Sequence, residues 1–126
     1  MRIVVVDDVK VWRDTVCRIL EKRPGLQVIA QAADGEEAVQ LAEELKPDLI
    51  VLDIGLPKLD GLHAAARIFE LSPTSKVVFL SQENDPDTVQ AALSLGQSAY
   101  VYKPKATTDL LFAIKTTLEA GVHEHP

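Results

Sequence analysis

A single cysteine, Cys17, is present in 126 residues, so the chain can form no internal disulfide and no thiolate metal site. Long apolar runs are missing too. Ile3–Val6 and Leu49–Leu52 each span four residues, where a membrane-crossing helix needs about 20. Basic residues are outnumbered, 13 against 19 acidic, which leaves a formal charge of −6. A chain of that sign repels phosphate backbones and anionic lipid, so neither nucleic acid nor a membrane surface is an expected partner of this segment alone. No basic stretch, apolar stretch and cleavage site follow one another at the N-terminus, and the chain reads as cytoplasmic. What it does contain, 47% hydrophobic and 25% charged residues, matches one globular domain with a real core.

Short aliphatic runs alternate with helical patterns five times. The runs are Ile3–Val6, Leu26–Ala32, Leu49–Leu52, Val77–Leu80 and Ala99–Tyr102. Four are apolar on both faces, as parallel strands covered by helices on each side must be. The second is more broken and suits an edge. Between the runs, apolar stripes recur at helical spacing: Trp12, Val16, Ile19 and Leu20; Ala38, Leu41, Ala42 and Leu45; Leu62, Ala65, Ala66 and Phe69; Val89, Ala92 and Leu93; Leu111, Ile114 and Leu118. Gly96 is placed to cap the fourth helix in a left-handed conformation, and the fifth ends at Gly121. Turn residues fall between the elements, at Pro24-Gly25, Asp34-Gly35, Pro47, Asp60-Gly61 and Ser72-Pro73. Strand–helix alternation with short loops implies right-handed crossovers, hence a five-fold βα three-layer sandwich over residues 1–121. Residues 122–126 read as a tail or a truncated linker.

In open α/β sheets, sites form beyond the carboxyl ends of the strands. Asp7 and Asp8 follow the first run, Asp53 the third, Ser81 the fourth and Lys103 the fifth. If the first and third strands are neighbours, three carboxylates crowd together, and like charges that close raise each other's pKa or recruit a cation. Oxygen-only ligands favour Mg²⁺. Beside such an ion, a lysine and a hydroxyl make a reasonable phosphoryl site, with a carboxylate as nucleophile.

At these residues the sequence resembles the receiver domain of bacterial two-component response regulators, over roughly Met1 to Gly121. The resemblance rests on Val6-Asp7-Asp8, on Asp53-Ile54-Gly55-Leu56-Pro57-Lys58-Leu59-Asp60-Gly61, on Leu80-Ser81 and on Tyr100-Val101-Tyr102-Lys103-Pro104. Each piece is weak alone; in this order and at strand ends they are specific together. The resemblance implies a parallel five-stranded sheet in the flavodoxin-like order 2-1-3-4-5, with Asp53 as phosphoacceptor. Asp8, Asp53 and the backbone carbonyl of Gly55 would ligate Mg²⁺ or Mn²⁺, and Asp7 would reach it through water. Ser81 and Lys103 would bind phosphoryl oxygens, Ser81 and Tyr100 would form the switch, and the Lys103–Pro104 bond would be cis. It further implies a sensor histidine kinase or phosphotransfer protein as donor, and a homodimer on phosphorylation. The C-terminal Asp109–Ile114 and Glu119–Gly121 pieces are similar to receivers that precede a helix-turn-helix output domain, which makes transcription the expected output. Two residues depart from the family pattern. Gln82 stands where a small residue is usual and narrows the route to the phosphoryl site, and Gly55 offers no side chain toward it. Glu83 can still touch an attacking water.

Blander readings attach to several of these residues. Asp8 could cap the first helix, Ser81 the following turn, and Tyr100 could be a half-buried sheet residue. Trp12 reads as packing with an exposed Arg13 beside it, and Cys17 as a small helix residue. His63, His123 and His125 form no metal cluster. Two other functions compete: a phosphorylation-independent interaction module on the same fold, and a Mg²⁺-dependent phosphatase. The phosphatase would need Asp-x-Asp after the first strand and a cap segment, and the chain has neither. A flavodoxin would need a hydroxyl- and glycine-rich phosphate loop there.

Overall fold

The computed structural model describes residues 1–123, and its element order follows the alternation in the sequence: β1 (Arg2–Val6), α1 (Lys10–Glu21), β2 (Gln27–Ala32), α2 (Gly35–Leu45), β3 (Leu49–Asp53), α3 (Gly61–Leu71), β4 (Lys76–Ser81), α4 (Pro86–Leu93), β5 (Ser98–Tyr102), a 3₁₀ turn (Lys103–Lys105) and α5 (Ala106–His123). The strands form one sheet in the order β2-β1-β3-β4-β5, every pair parallel. This is the flavodoxin-like order, and the partly exposed β2 lies at an edge.

Side chains on a strand point alternately to opposite faces, so each central strand feeds two cores. Val4, Val6, Ile50, Leu52, Val77 and Phe79 pack under α2, α3 and α4, against Ala38, Ala42, Ala64, Ala65, Ile68 and Ala92. Ile3, Val5, Val51, Val78, Leu80 and Val101 face α1 and α5, against Val16, Leu20, Leu110 and Ile114. Each fully buried aliphatic side chain is worth about 1.5–3 kcal/mol relative to an exposed one, which is why the central strands are apolar on both faces.

Aspartates start three of the helices. Asp34, Asp60 and Asp85 accept from the backbone N–H of Glu37, His63 and Thr88, at 2.8, 3.0 and 3.0 Å. Helix α1 begins differently. Its N-cap is Val9, with no side-chain cap, so Asp8 does not cap it and stays exposed.

Three details differ from the sequence reading. Gly96 is not left-handed: α4 ends at Leu93 with a right-handed Ser94, and Gly96 is needed because an added Cβ would come within 2.9 Å of the Phe69 ring. The most buried face of α3 is Gly61, Ala64, Ala65 and Ile68, rotated from the expected stripe because Gly61 backs directly onto the end of β3. Helix α5 continues past Gly121 to His123; residues 124–126, part of the expected tail and including His125, lie outside the described residues.

Candidate functional site

Pairing of Val6 with Leu52 makes Asp7 and Asp53 the next residues along two adjacent strands. Asp7, Asp8 and Asp53 each offer a carboxylate oxygen, and these atoms lie within 4.8 Å of one another. Asp7 and Asp53 are buried, at 2% and 6% exposure, whereas Asp8 faces solvent. Lys103, 4% exposed, enters from the end of β5. Its Nζ lies 2.7 Å from Asp7 Oδ2 and 3.4 Å from Asp53 Oδ2, so the lysine sits closer to Asp7 than to the expected phosphoacceptor.

Further bonds fix the carboxylates. Asp7 Oδ1 accepts from Val9 N–H at 2.9 Å, and Asp53 Oδ1 accepts from Gly55 N–H at 3.3 Å. The Lys103 contact with Asp7 is close without being aligned as a hydrogen bond, so among the described residues no donor is aimed at Asp7 Oδ2. Burial pushes the Asp53 carboxyl above the usual carboxylate range; Lys103 opposes the shift and the Asp7 charge adds to it.

Ser81, at the end of β4, is buried and its Oγ accepts from Glu83 N–H at 3.0 Å. That bond is the turn cap of the blander reading, and it leaves the hydroxyl proton free to donate. Asp8, Asp53, Gly55, Ser81 and Lys103 line one cleft of about 250 Å³, with Gln82 and Glu83 on its wall. A larger cleft of about 310 Å³, which includes Met1, Leu26, Leu111 and Ile114, holds Glu119 as its sole carboxylate. Chemistry rather than volume therefore distinguishes the site.

Tyr100 is half-buried on β5, tilted against Phe79 at 6.4 Å between ring centroids. Its hydroxyl donates to the Glu83 carbonyl at 2.7 Å, which joins β5 to the loop after Ser81. Burial pushes this phenol upward in pKa. Cys17 is buried and its thiol is likewise pushed up by burial, in keeping with a packing role.

One expectation fails. No peptide bond among the described residues is cis, so Lys103–Pro104 is trans. Pro104 lies in the 3₁₀ turn leading into α5, where its fixed φ suits a helical start and its missing N–H costs nothing. Two residues at the site were also read as packing or surface. Arg13 Nη1 donates to the Asp7 carbonyl at 2.7 Å, and Lys103 Nζ stands 5.0 Å from the Trp12 ring centroid. Their position one helical turn beyond Asp7-Asp8 was the available signal.

The family model for the response regulator receiver domain matches residues 3–115. The chain belongs to the response regulator receiver domain family. Among curated relatives, this receiver is 36% identical over 126 residues to the transcriptional regulatory protein DegU of Brevibacillus brevis, covering 100% of this chain and 53% of that one. It is 37% identical over 123 residues to protein-glutamate methylesterase/protein-glutamine glutaminase 3 of Geobacter sulfurreducens, covering 97% of this chain and 33% of that protein. Among solved structures, a LuxR-family two-component response regulator from Aurantimonas sp. SI85-9A1 superimposes with a TM-score of 0.88 at 31% identity, covering 94% of this chain and 85% of the other. The receiver thus spans between a third and about half of these two curated relatives. It is a signalling module of two-component systems, and no helix among the described residues is long and apolar enough to cross a membrane.

Receivers bind Mg²⁺ at an acidic pocket, and the residues here fit such an ion. The donors are all oxygen, and the burial is uneven enough to leave waters on the Asp8 side.

Proposed function

We propose that this receiver accepts a phosphoryl group on Asp53 from the phosphohistidine of a sensor histidine kinase or a phosphotransfer protein. The observation that carries the reading is the buried Lys103 ammonium between Asp7 and Asp53, in a cleft that also holds Ser81. An Asp53 carboxylate oxygen attacks phosphorus as the phosphorus–nitrogen bond of the donor breaks. The bonding pair returns to the imidazole nitrogen, which takes up a proton. Lys103 neutralises one phosphoryl oxygen and Ser81 donates its hydroxyl proton to another. Asp8, Asp53 and the Gly55 carbonyl would hold Mg²⁺ or Mn²⁺, with Asp7 reaching it through water; the ion supplies charge neutralisation at the phosphoryl oxygens.

The switch proposed is Ser81 moving toward the phosphoryl group, which breaks its bond from Glu83 N–H and loosens the Glu83 carbonyl from Tyr100. Tyr100 then turns inward and reshapes the α4–β5–α5 face, where a second copy or an output domain binds; the output proposed is transcriptional. Residues 1–121 act as the receiver, in the cytoplasm, and 122–126, of which the first two still belong to α5, as a tail or truncated linker. Phosphate drives this only by binding the switched arrangement more tightly than the resting one.

Intact mass after incubation with acetyl phosphate and Mg²⁺ tests the reading. A gain of one phosphoryl group, absent with EDTA and in Asp53→Asn, is the expected result. Gln82, exposed on the cleft wall, favours the alternative of a phosphorylation-independent module. No mass gain in wild type or in Gln82→Ala, with Mg²⁺ binding intact, would establish that alternative.

A further inference from the structure

We infer that Trp12 is a positioning residue for Lys103: its indole face holds the ammonium on the Asp7 side of the cleft, nearer to Asp7 than to Asp53. The inference rests on the phosphoacceptor reading of Asp53. Lys103 Nζ lies 5.0 Å from the indole centroid, within the reach of about 6 Å over which a cation is drawn to a ring face. Lys103 is 4% exposed, and attraction to a ring is strongest for a cation that has shed its water. The three distances form a consistent set. The ammonium is 2.7 Å from Asp7 and 3.4 Å from Asp53, and the ring is its one uncharged partner among them.

The backbone turn that carries the ring is tied down. Trp12 lies in the first turn of α1, and its neighbour Arg13 ties that turn to the end of β1 by donating to the Asp7 carbonyl at 2.7 Å. An aromatic face is suited to this task for an electrostatic reason. A fourth carboxylate could also hold the ammonium away from Asp53, but it would add to the crowding of like charge that Asp7, Asp8 and Asp53 already create. The indole attracts the cation and adds no charge. An aliphatic side chain of similar bulk would fill the space without holding the ammonium.

Without the ring, the ammonium relaxes toward Asp53 and competes there with both a divalent cation and a phosphoryl donor. The test is a double-variant cycle in the full chain, read by calorimetric Mg²⁺ affinity and by the rate of mass gain from acetyl phosphate. Trp12→Leu should bind Mg²⁺ about tenfold more weakly and gain mass about tenfold more slowly, and Trp12→Phe should fall between. In a Lys103→Met background, Trp12→Leu should change Mg²⁺ affinity less than twofold, because no ammonium is left to hold. Equal losses in both backgrounds, or identical values for Phe and Leu, would overturn the inference and make Trp12 a packing residue. Should Lys103→Met fail to fold, the Trp, Phe, Leu order of affinity decides alone. Trp12 is the chain's one tryptophan, so its emission in Lys103→Met reports the ring–ammonium contact with no donor present. An unchanged emission would also count against it. Intact coupling in affinity and emission, with no mass gain in wild type, would refute the phosphoacceptor reading and leave the positioning role standing.

Discussion

Gly61→Ala sets two effects of known sign against each other at the edge of the site. Gly61 opens α3, and its backbone has no positive φ, so alanine is conformationally acceptable there. Replacing a helical glycine by alanine ordinarily gains about 0.5–1 kcal/mol. The added Cβ, however, would stand 2.3 Å from the Asp53 carbonyl oxygen and 2.5 Å from Ile54 Cα, where real Cβ contacts do not fall below 3.0 Å. Both obstacles are backbone, so no rotamer change relieves them. The helix start cannot slide away freely either, because Gly61 N–H donates to the Ile54 carbonyl at 2.7 Å and Asp60 caps His63. Overpacking of this kind costs about 1–3 kcal/mol, which exceeds the propensity gain; a net loss of about 1–2 kcal/mol follows. The segment that must shift is the one carrying Asp53 and Gly55, so Mg²⁺ affinity should fall about tenfold as well. Urea denaturation with and without Mg²⁺, beside calorimetric titration of the ion, measures both. A variant as stable as wild type that binds Mg²⁺ equally well would refute the reasoning.

Three further outcomes are expected. Burial raises the Asp53 pKa above its unfolded value, so the folded state holds that proton more tightly and the resulting stability, present at low pH, is lost as pH rises through the folded value. Asp53→Asn should therefore be more stable than wild type at pH 7, with the gap closing on acidification toward about pH 4, the ordinary aspartate value; thermal melts across pH that showed a constant gap would count against it. Mg²⁺ at about 100 times its dissociation constant should stabilise wild type by about 2.7 kcal/mol and Asp8→Ala far less, as read from denaturation midpoints. Tyr100→Ala should gain phosphoryl mass like wild type yet lose the phosphorylation-linked dimer in sedimentation; a dimer that persists would remove Tyr100 from the switch.

Much of the fold was legible because burial on both faces leaves a plain mark. Ile3–Val6, Leu49–Leu52 and Val77–Leu80 are uninterrupted since a helix covers each side, and β2 is broken because one edge of it is open. The carboxylates were legible for a related reason: a charge that ends an apolar strand marks the sheet edge where sites form. Other features depend on distances that no spacing rule conveys. Lys103 rests nearer Asp7 than Asp53 by a fraction of an ångström of side-chain packing. Gly96 looked like a helix cap, yet the pressure on it comes from Phe69, on a helix remote in sequence. The trans bond before Pro104 accompanies the 3₁₀ turn that β5 makes into α5, and that turn leaves no mark beyond the proline itself.

Charge balance explains why these residues suit a switch better than a fixed ion-pair site. Three carboxylates and one ammonium leave the cluster with two negative charges in excess, which a dication cancels. The proposed phosphorylation of Asp53 would replace a singly charged carboxylate with a phosphoryl group carrying up to two charges, so fresh negative charge would appear where Lys103 is not yet closest. In that proposal the ammonium would be drawn from the Asp7 side toward the phosphoryl oxygens, and the buried Ser81 hydroxyl would follow. Ser81 can do so only by giving up Glu83 N–H, and Glu83 is the residue whose carbonyl holds the Tyr100 hydroxyl. On that proposal a change of about one charge at Asp53 would be linked, through two hydrogen bonds on Glu83, to an aromatic ring on an edge strand. In the resting arrangement burial holds the Asp53 carboxyl up in pKa, and the proposed switch would bring the Lys103 ammonium closer to that position at the expense of Asp7.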